Sequence, residues 1–163
     1  MSDDELNNID EQLEAFTRSE KRHLKEKFLL LRAMETEFGE RVREIIRMER
    51  SQSVRSQWEY IGTQVESNSI ESLIEILWTP MRQRRIVEYE YGKTKDNGIC
   101  IKVTRCLFAE LVNDLEIPSE WGYDLYCSDD EHMVRGFNSK MEFSRSKTLM
   151  QGHECCNHCY RMI

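Results

Sequence analysis

At Arg85 the hydrophobic period of this chain changes from helical to alternating, and that change limits what it can fold into. Before it, apolar residues recur three and four apart: Leu24, Phe28, Leu31, Met34, Phe38, Val42 and Ile45, then Val54, Trp58, Ile61 and Val65, then Ile70, Leu73 and Leu77. That spacing lines one face of an α-helix. After it, Val87, Tyr89 and Tyr91 alternate with Glu88 and Glu90. Across a loop ending in Asn97-Gly98, Ile99, Ile101 and Val103 alternate with Cys100, Lys102, Thr104 and Cys106, the period-two pattern of a β-hairpin. Helices first and strands later point to an α+β chain.

Leu6, Ile9, Leu13 and Phe16 predict a short opening helix, and the stripe that resumes after Glu20 predicts a long helix, or two stacked ones, broken at Gly39. The stripe lasts only about three heptads, which favours a core-facing helix over a coiled-coil seam. The mixed charges between Arg18 and Arg50 read as solvated helix faces. Ser69 is the expected N-cap of the next helix and Pro80 its stop. Arg82, Arg84 and Arg85 then suit a helix C-terminus.

Past the hairpin, Leu107, Leu111 and Leu115 predict a helix closed by Ile117-Pro118-Ser119. Ser119 opens another, carrying Cys127 and Asp130 three apart on one face and ending at Gly136. Met141–Leu149, a turn at Gly152 and Cys155–Met162 predict a closing hairpin. The expected architecture is therefore one domain over 1–163. A helical part, 1–80, packs on a four-stranded antiparallel sheet made of two hairpins within 81–163.

The opening MSDDELNNID is acidic where a secretory leader is basic and then apolar, and no apolar run is long enough to span a bilayer. A cytoplasmic chain with reduced thiols is expected, its six cysteines buried, reactive or metal-binding rather than paired. The net charge of -7 argues against nucleic acid and anionic membranes as partners. A small-molecule substrate fits better, and the Leu24 to Ile45 stripe also offers a homodimer through the N-terminal helices.

Chemistry concentrates at the C-terminus, where three of the six cysteines and two of the four histidines fall in the last eleven residues. Strand alternation puts Cys156, His158 and Tyr160 on one face and Cys155, Asn157 and Cys159 on the other. A thiol beside an imidazole serves as a nucleophile or as a pair of zinc ligands. The same residues also suit a buried strand, with cysteines as small hydrophobes and the histidine hydrogen-bonded. Cys106 at a strand end, together with Cys127 and Asp130 on a helix, would join them if the elements meet at one edge.

Val103-Thr104-Arg105-Cys106, Cys127-Ser128-Asp129-Asp130, Phe143-Ser144-Arg145-Ser146-Lys147-Thr148-Leu149 and Gly152 with Cys155-Cys156 resemble the L-2-amino-thiazoline-4-carboxylic acid hydrolase family. Its members open a 2-aminothiazoline ring with water to give N-carbamoyl-cysteine. The C-terminal pattern is also similar to the small ligand-binding domain named for four-vinyl reductases, which agrees with a sheet flanked by helices. The resemblance implies Cys106, Cys127, Asp130, Arg145, Thr148, Gly152 and Cys156. Opening such a ring needs an activated nucleophile, a proton donor for the leaving group and a cation for the carboxylate, which assigns Cys156 or a metal-bound water as nucleophile, Asp130 or His158 as acid or base and Arg145 as carboxylate clamp, with Thr148 a further substrate contact. If a metal (Zn, Fe or Mn) is present, Cys106, Cys127, Cys156 and His158 are its expected ligands. The chain departs from the family pattern at Leu107, where proline is common, and at Asn157-His158-Cys159, where an aromatic residue is frequent.

Overall fold

The computed structural model describes residues 3–163; Met1, Ser2 and the side chains through Leu6, the first residue of the opening stripe, lie outside the described residues. Helix α1 (Asp3–Phe38) is continuous, correcting the expected break before Glu20, since no glycine or proline interrupts Thr17-Arg18-Ser19. It ends at Gly39, whose φ of 74° lets the chain turn back into α2 (Arg41–Thr63). Ser69 caps α3 (Ile70–Leu73), its hydroxyl accepting the Ser72 N–H at 3.2 Å. Pro80 does not stop this segment. After a π-helical turn at Ile74–Trp78, Pro80 falls in the first turn of α4 (Thr79–Gln83), a position where its missing N–H is tolerated.

Strands β1 (Val87–Lys93), β2 (Ile99–Cys106), β3 (Met141–Ser144) and β4 (Cys156–Met162) form one antiparallel sheet in the order β1-β2-β4-β3. The two hairpins thus join through β2 and β4. β3 is shorter than the expected Met141–Leu149, because the chain leaves the sheet at Arg145 and forms a 3-10 turn at Leu149–Gln151 ending on Gly152, φ 84°.

Between β2 and β3 lie α5 (Leu107–Asp114), α6 (Ser119–Gly122), a π-helical turn at Tyr123–Cys127, and α7 (Asp130–Phe137). Cys127 and Asp130 are therefore not on one regular helix; a turn at Ser128-Asp129 separates them. Gly136 sits inside α7, one residue before its end. A Cβ there would come within 2.4 Å of the Arg55 carbonyl oxygen and 3.1 Å of Trp58 Cβ, so its bareness allows α7 to pack on α2.

The core fills the space between the helices and the inner sheet face, with Leu24, Phe28, Trp58, Trp78, Ile101, Val103, Phe137, Met141 and Tyr160 all buried. Three arginines of the mixed-charge stretch reach buried carboxylates, Arg43 and Arg50 partly buried and Arg47 half in solvent. Arg43 and Arg47 donate to the buried Asp124 carboxylate at 2.7 to 3.0 Å, and Arg50 pairs with Asp129. No helix among the described residues is long and apolar enough to cross a membrane.

Two local features redirect cysteines. Val87 pairs with Cys106 and Tyr89 with Val103, so β2 carries one extra residue opposite the Glu88/Tyr89 step. That β-bulge reverses the alternation and turns Cys106 from the outer face, where strict parity puts it, to the inner one. Cys100 and Cys159 face each other across β2 and β4 on the outer side and form a disulfide, correcting the expectation that all six thiols are unpaired. The reason is the β2-β4 pairing itself, a long-range contact that brings together residues 59 apart.

Candidate functional site

A cavity of about 230 Å³ opens between the inner face of the sheet and the helices over it. Six of the residues singled out from sequence line it: Cys106, Cys127, Asp130, Arg145, Cys156 and His158. Each arrives from a different local cause. The bulge aims Cys106, the π-helical turn ends on Cys127, and α7 begins with Asp130. β4 alternation brings Cys156 and His158 inward, and the exit of the chain from β3 turns Arg145 in. The remaining wall is mostly apolar, with Trp78, Met81, Phe108, Tyr126 and Met150 prominent. Small volume and a few convergent polar groups are the usual make-up of a small-ligand site.

Thr148 is the exception. It is buried but does not line the cavity; its hydroxyl accepts the Gln151 N–H at 3.2 Å and donates to the Gln151 side-chain oxygen at 2.8 Å, capping the 3-10 turn. That turn places Leu149, whose N–H donates to Cys156 Sγ at 3.1 Å.

At the polar end of the cavity, Arg145 donates to Asp130 through Nη1. Its Nη2 donates to the Tyr123 hydroxyl at 3.1 Å and to the Cys127 carbonyl oxygen at 2.9 Å. The guanidinium also lies over the rings of Tyr123 and Phe143, 5.4 and 5.7 Å from their centroids. His158 Nε2 is 3.3 Å from the same Asp130 oxygen that pairs with Arg145. Nε2 also lies 3.4 Å from Arg145 Nη1, and because a guanidinium only donates, Nε2 accepts that hydrogen bond and Nδ1 carries the ring proton, a tautomer assigned from the hydrogen-bond network. His158 is buried, and its Nδ1 has no hydrogen-bond partner among the described residues. Trp78 stands edge-on to the imidazole, 4.9 Å between centroids, and donates its indole N–H to Tyr160 at 3.1 Å.

Burial pushes the thiols of Cys106, Cys127 and Cys156 above their ordinary values, with the Asp130 charge adding to the shift at each. At Cys156 the Leu149 N–H pulls the other way without overcoming burial. Burial also works against the charge of Arg145, but the Asp130 carboxylate and the Tyr123 hydroxyl more than offset it, and its pKa rises.

The expected metal set does not assemble. Cys106, Cys127, Cys156 and His158 share the cavity, yet among the described residues no three His, Cys, Asp or Glu groups gather closely enough to hold an ion. The Arg145 guanidinium lies against Asp130 and His158 and already supplies a positive charge there. Tyr123 and Trp78 had no assigned role from sequence. Tyr123 stands four residues before Cys127, a same-face relation that links the two, whereas nothing local ties Trp78 to His158.

A model of the L-2-amino-thiazoline-4-carboxylic acid hydrolase family matches residues 17–160. No curated protein matches the chain. Among solved structures, the crystal structure of the phenol-responsive sensory domain of the transcription activator PoxR with phenol is similar, with a TM-score of 0.52 and 11% identity. The match covers 83% of this chain and 72% of that one, and at this identity the likeness concerns the fold alone.

Proposed function

This chain belongs to the L-2-amino-thiazoline-4-carboxylic acid hydrolase family, and from that premise we propose that it is a hydrolase opening a small cyclic amidine or 2-aminothiazoline-type ring in the cavity described above. The reaction is the conversion of L-2-amino-thiazoline-4-carboxylate to N-carbamoyl-cysteine or a closely related one. The observation that carries this reading is the buried His158, its Nε2 beside Asp130 and Arg145 and its Nδ1 without a partner. A buried imidazole with one ring nitrogen unpaired is equipped to exchange a proton with a ligand.

In the proposed reaction water adds to the ring carbon that lies between nitrogen and sulfur. The carbon–sulfur bond then breaks, the amidine becomes a urea, and the sulfur takes up a proton. Asp130 takes the proton of the attacking water, His158 gives its Nδ1 proton to the departing sulfur, and Arg145 positions Asp130 beside the imidazole. Burial keeps the Cys106 and Cys127 thiols protonated at neutral pH, so they offer S–H hydrogen bonds to the departing sulfur but do not supply its proton. Cys156 offers a covalent variant: its sulfur attacks the ring carbon as its proton passes to the Asp130–His158 pair, the ring carbon–sulfur bond breaks with that proton moving to the departing sulfur, and water then releases the Cys156 thiol and the urea. The Leu149 N–H at 3.1 Å supports negative charge on that sulfur.

His158→Gln is expected to lower kcat by about a hundredfold or more, in the usual range for a lost acid–base group, with the fold kept as judged by circular dichroism. Cys156→Ser separates the two routes: loss of turnover supports the covalent one, retention supports direct water attack. Unchanged hydrolysis in both variants would sink the assignment.

A second reading is a non-catalytic small-ligand module. The apolar and aromatic wall favours it, and the fold likeness to a domain described as phenol-responsive is consistent with it. Tight binding of a ring compound with no turnover would decide for it.

A further inference from the structure

A second groove, of about 760 Å³, lies outside the substrate cavity, between the first turns of α1 and the end of α4. Ile9, Leu13 and Phe16, four and three apart on one face of α1, form its apolar wall, and Ile86 its floor. Arg82, Arg84 and Arg85 line it as well, and no aspartate or glutamate does. Arg85 is paired with Asp10. Arg82 lies over the Tyr89 ring, 5.2 Å from its centroid, and Arg84 is exposed; among the described residues neither pairs with a carboxylate. A helix C-terminus accounts for cations near its last carbonyls, but not for the apolar surface beneath them. In a chain of net charge -7, an apolar groove bordered by three guanidiniums and no acid favours an occupant that is itself negative.

We propose that this groove binds a medium-chain aliphatic carboxylate, its tail against Ile9, Leu13, Phe16 and Ile86 and its acid group between Arg82 and Arg84. The arginine fork takes both oxygens of a carboxylate through parallel N–H donors, and the arginine stems add apolar cover to the tail. Size points to a small molecule. Ile9 to Phe16 spans two helical turns, about 10 Å, too short for the roughly 800 Å² per partner of a stable protein interface, whereas the volume falls within the range of about 300 to 1,000 Å³ of small-molecule sites. The occupant lies beside the substrate cavity without entering it, since Phe16 meets Phe108 edge-on, 6.4 Å between centroids, and Phe108 lines that cavity. Binding here is independent of whether the cavity turns a substrate over.

The test is titration calorimetry of the full chain with octanoate, with 1-octanol as the same tail without charge and acetate as the charge without a tail. At low ionic strength octanoate is expected to bind about tenfold tighter than 1-octanol or more, the difference made by one charge-assisted hydrogen bond, and acetate to show no binding. High salt should narrow that difference. Arg82→Gln with Arg84→Gln should erase it, and Ile9→Glu should weaken octanoate by about tenfold or more through lost apolar contact and added like charge. Equal binding of octanoate and 1-octanol, no binding of octanoate, or octanoate binding that ignores the paired arginine substitution would overturn the proposal. So would an octanoate affinity that falls as the chain concentration rises, which gives the groove to a second copy, or binding of an acidic amphipathic peptide in place of octanoate, which gives it to a protein partner. Where circular dichroism shows that a variant has lost its helices, the wild-type comparison of the two tails at low and high salt decides.

Discussion

At Cys106, Cys127 and Cys156 burial raises the thiol pKa, and the Asp130 carboxylate pushes in the same direction. Below the ordinary thiol pKa of about 8.5 both folded and unfolded chains hold these protons, so the full stability is present there. As pH rises beyond it the unfolded chain loses its thiol protons first. Stability then falls until the raised folded values are reached, with a limiting slope of about 1.4 kcal/mol per pH unit for each thiol. The urea midpoint should therefore drop between about pH 8 and about pH 10, and Cys106→Ala with Cys127→Ala should flatten the drop. Native-state alkylation at neutral pH should show no thiol faster than free cysteine; a fast one would mean that a resting thiolate exists. Strand parity alone put Cys156 and His158 on one face, because alternation needs no tertiary information. The same rule misplaced Cys106, since nothing in Val103-Thr104-Arg105-Cys106 marks the extra residue of the bulge.

The elements around the cavity depart from regularity where they border it. A bulge ends β2, and π-helical turns carry Leu77 and Trp78 on one side and Tyr126 and Cys127 on the other. Such turns widen the helix locally and re-aim side chains, and they often occur at functional sites. The second turn is fixed to α2 by Asp124, which is 2% exposed and receives Arg43 and Arg47. Asp124→Asn is expected to cost about 3 kcal/mol, the low end for breaking a buried pair because Arg47 is half in solvent. The measurement is the urea midpoint at unchanged slope. A loss well under 1 kcal/mol would mean that the arginines are satisfied by water instead. The periodicity legible in the sequence located the helices, the hairpins and the Ser69 cap, all of which follow from local chemistry. It did not reveal that arginines in α2 reach carboxylates about eighty residues later, because a charge pattern names no partner.

In the whole molecule, the tip of the α1–α2 hairpin is more apolar than the core requires. Phe28 is buried against Trp121, but Leu29, Leu30, Met34 and Phe38 on α1 and Ile45 and Met48 on α2 are exposed, Phe38 by 68%. Six side chains about half exposed present roughly 500 Å² of apolar surface, beyond the scattered residues usual on a monomer and approaching the roughly 800 Å² per partner of a standard interface. The charge there suits a second copy of the same chain. Residues 29–49 hold four arginines and five glutamates, nearly neutral within a chain of net charge -7, so two such tips would meet without the repulsion felt elsewhere. Arg43, Arg47 and Arg50 fix α2 from behind and hold the surface rigid, which lowers the ordering cost of association. Light scattering is expected to give twice the chain mass at high micromolar concentration. Leu30→Glu with Phe38→Glu should return the chain to monomer without changing the ligand titration, since neither residue touches the cavity. Phe28 is unsuitable for this test, because its loss would open the core. A wild-type chain that stays monomeric would show that the tip is tolerated exposed and would overturn the homodimer through the N-terminal helices.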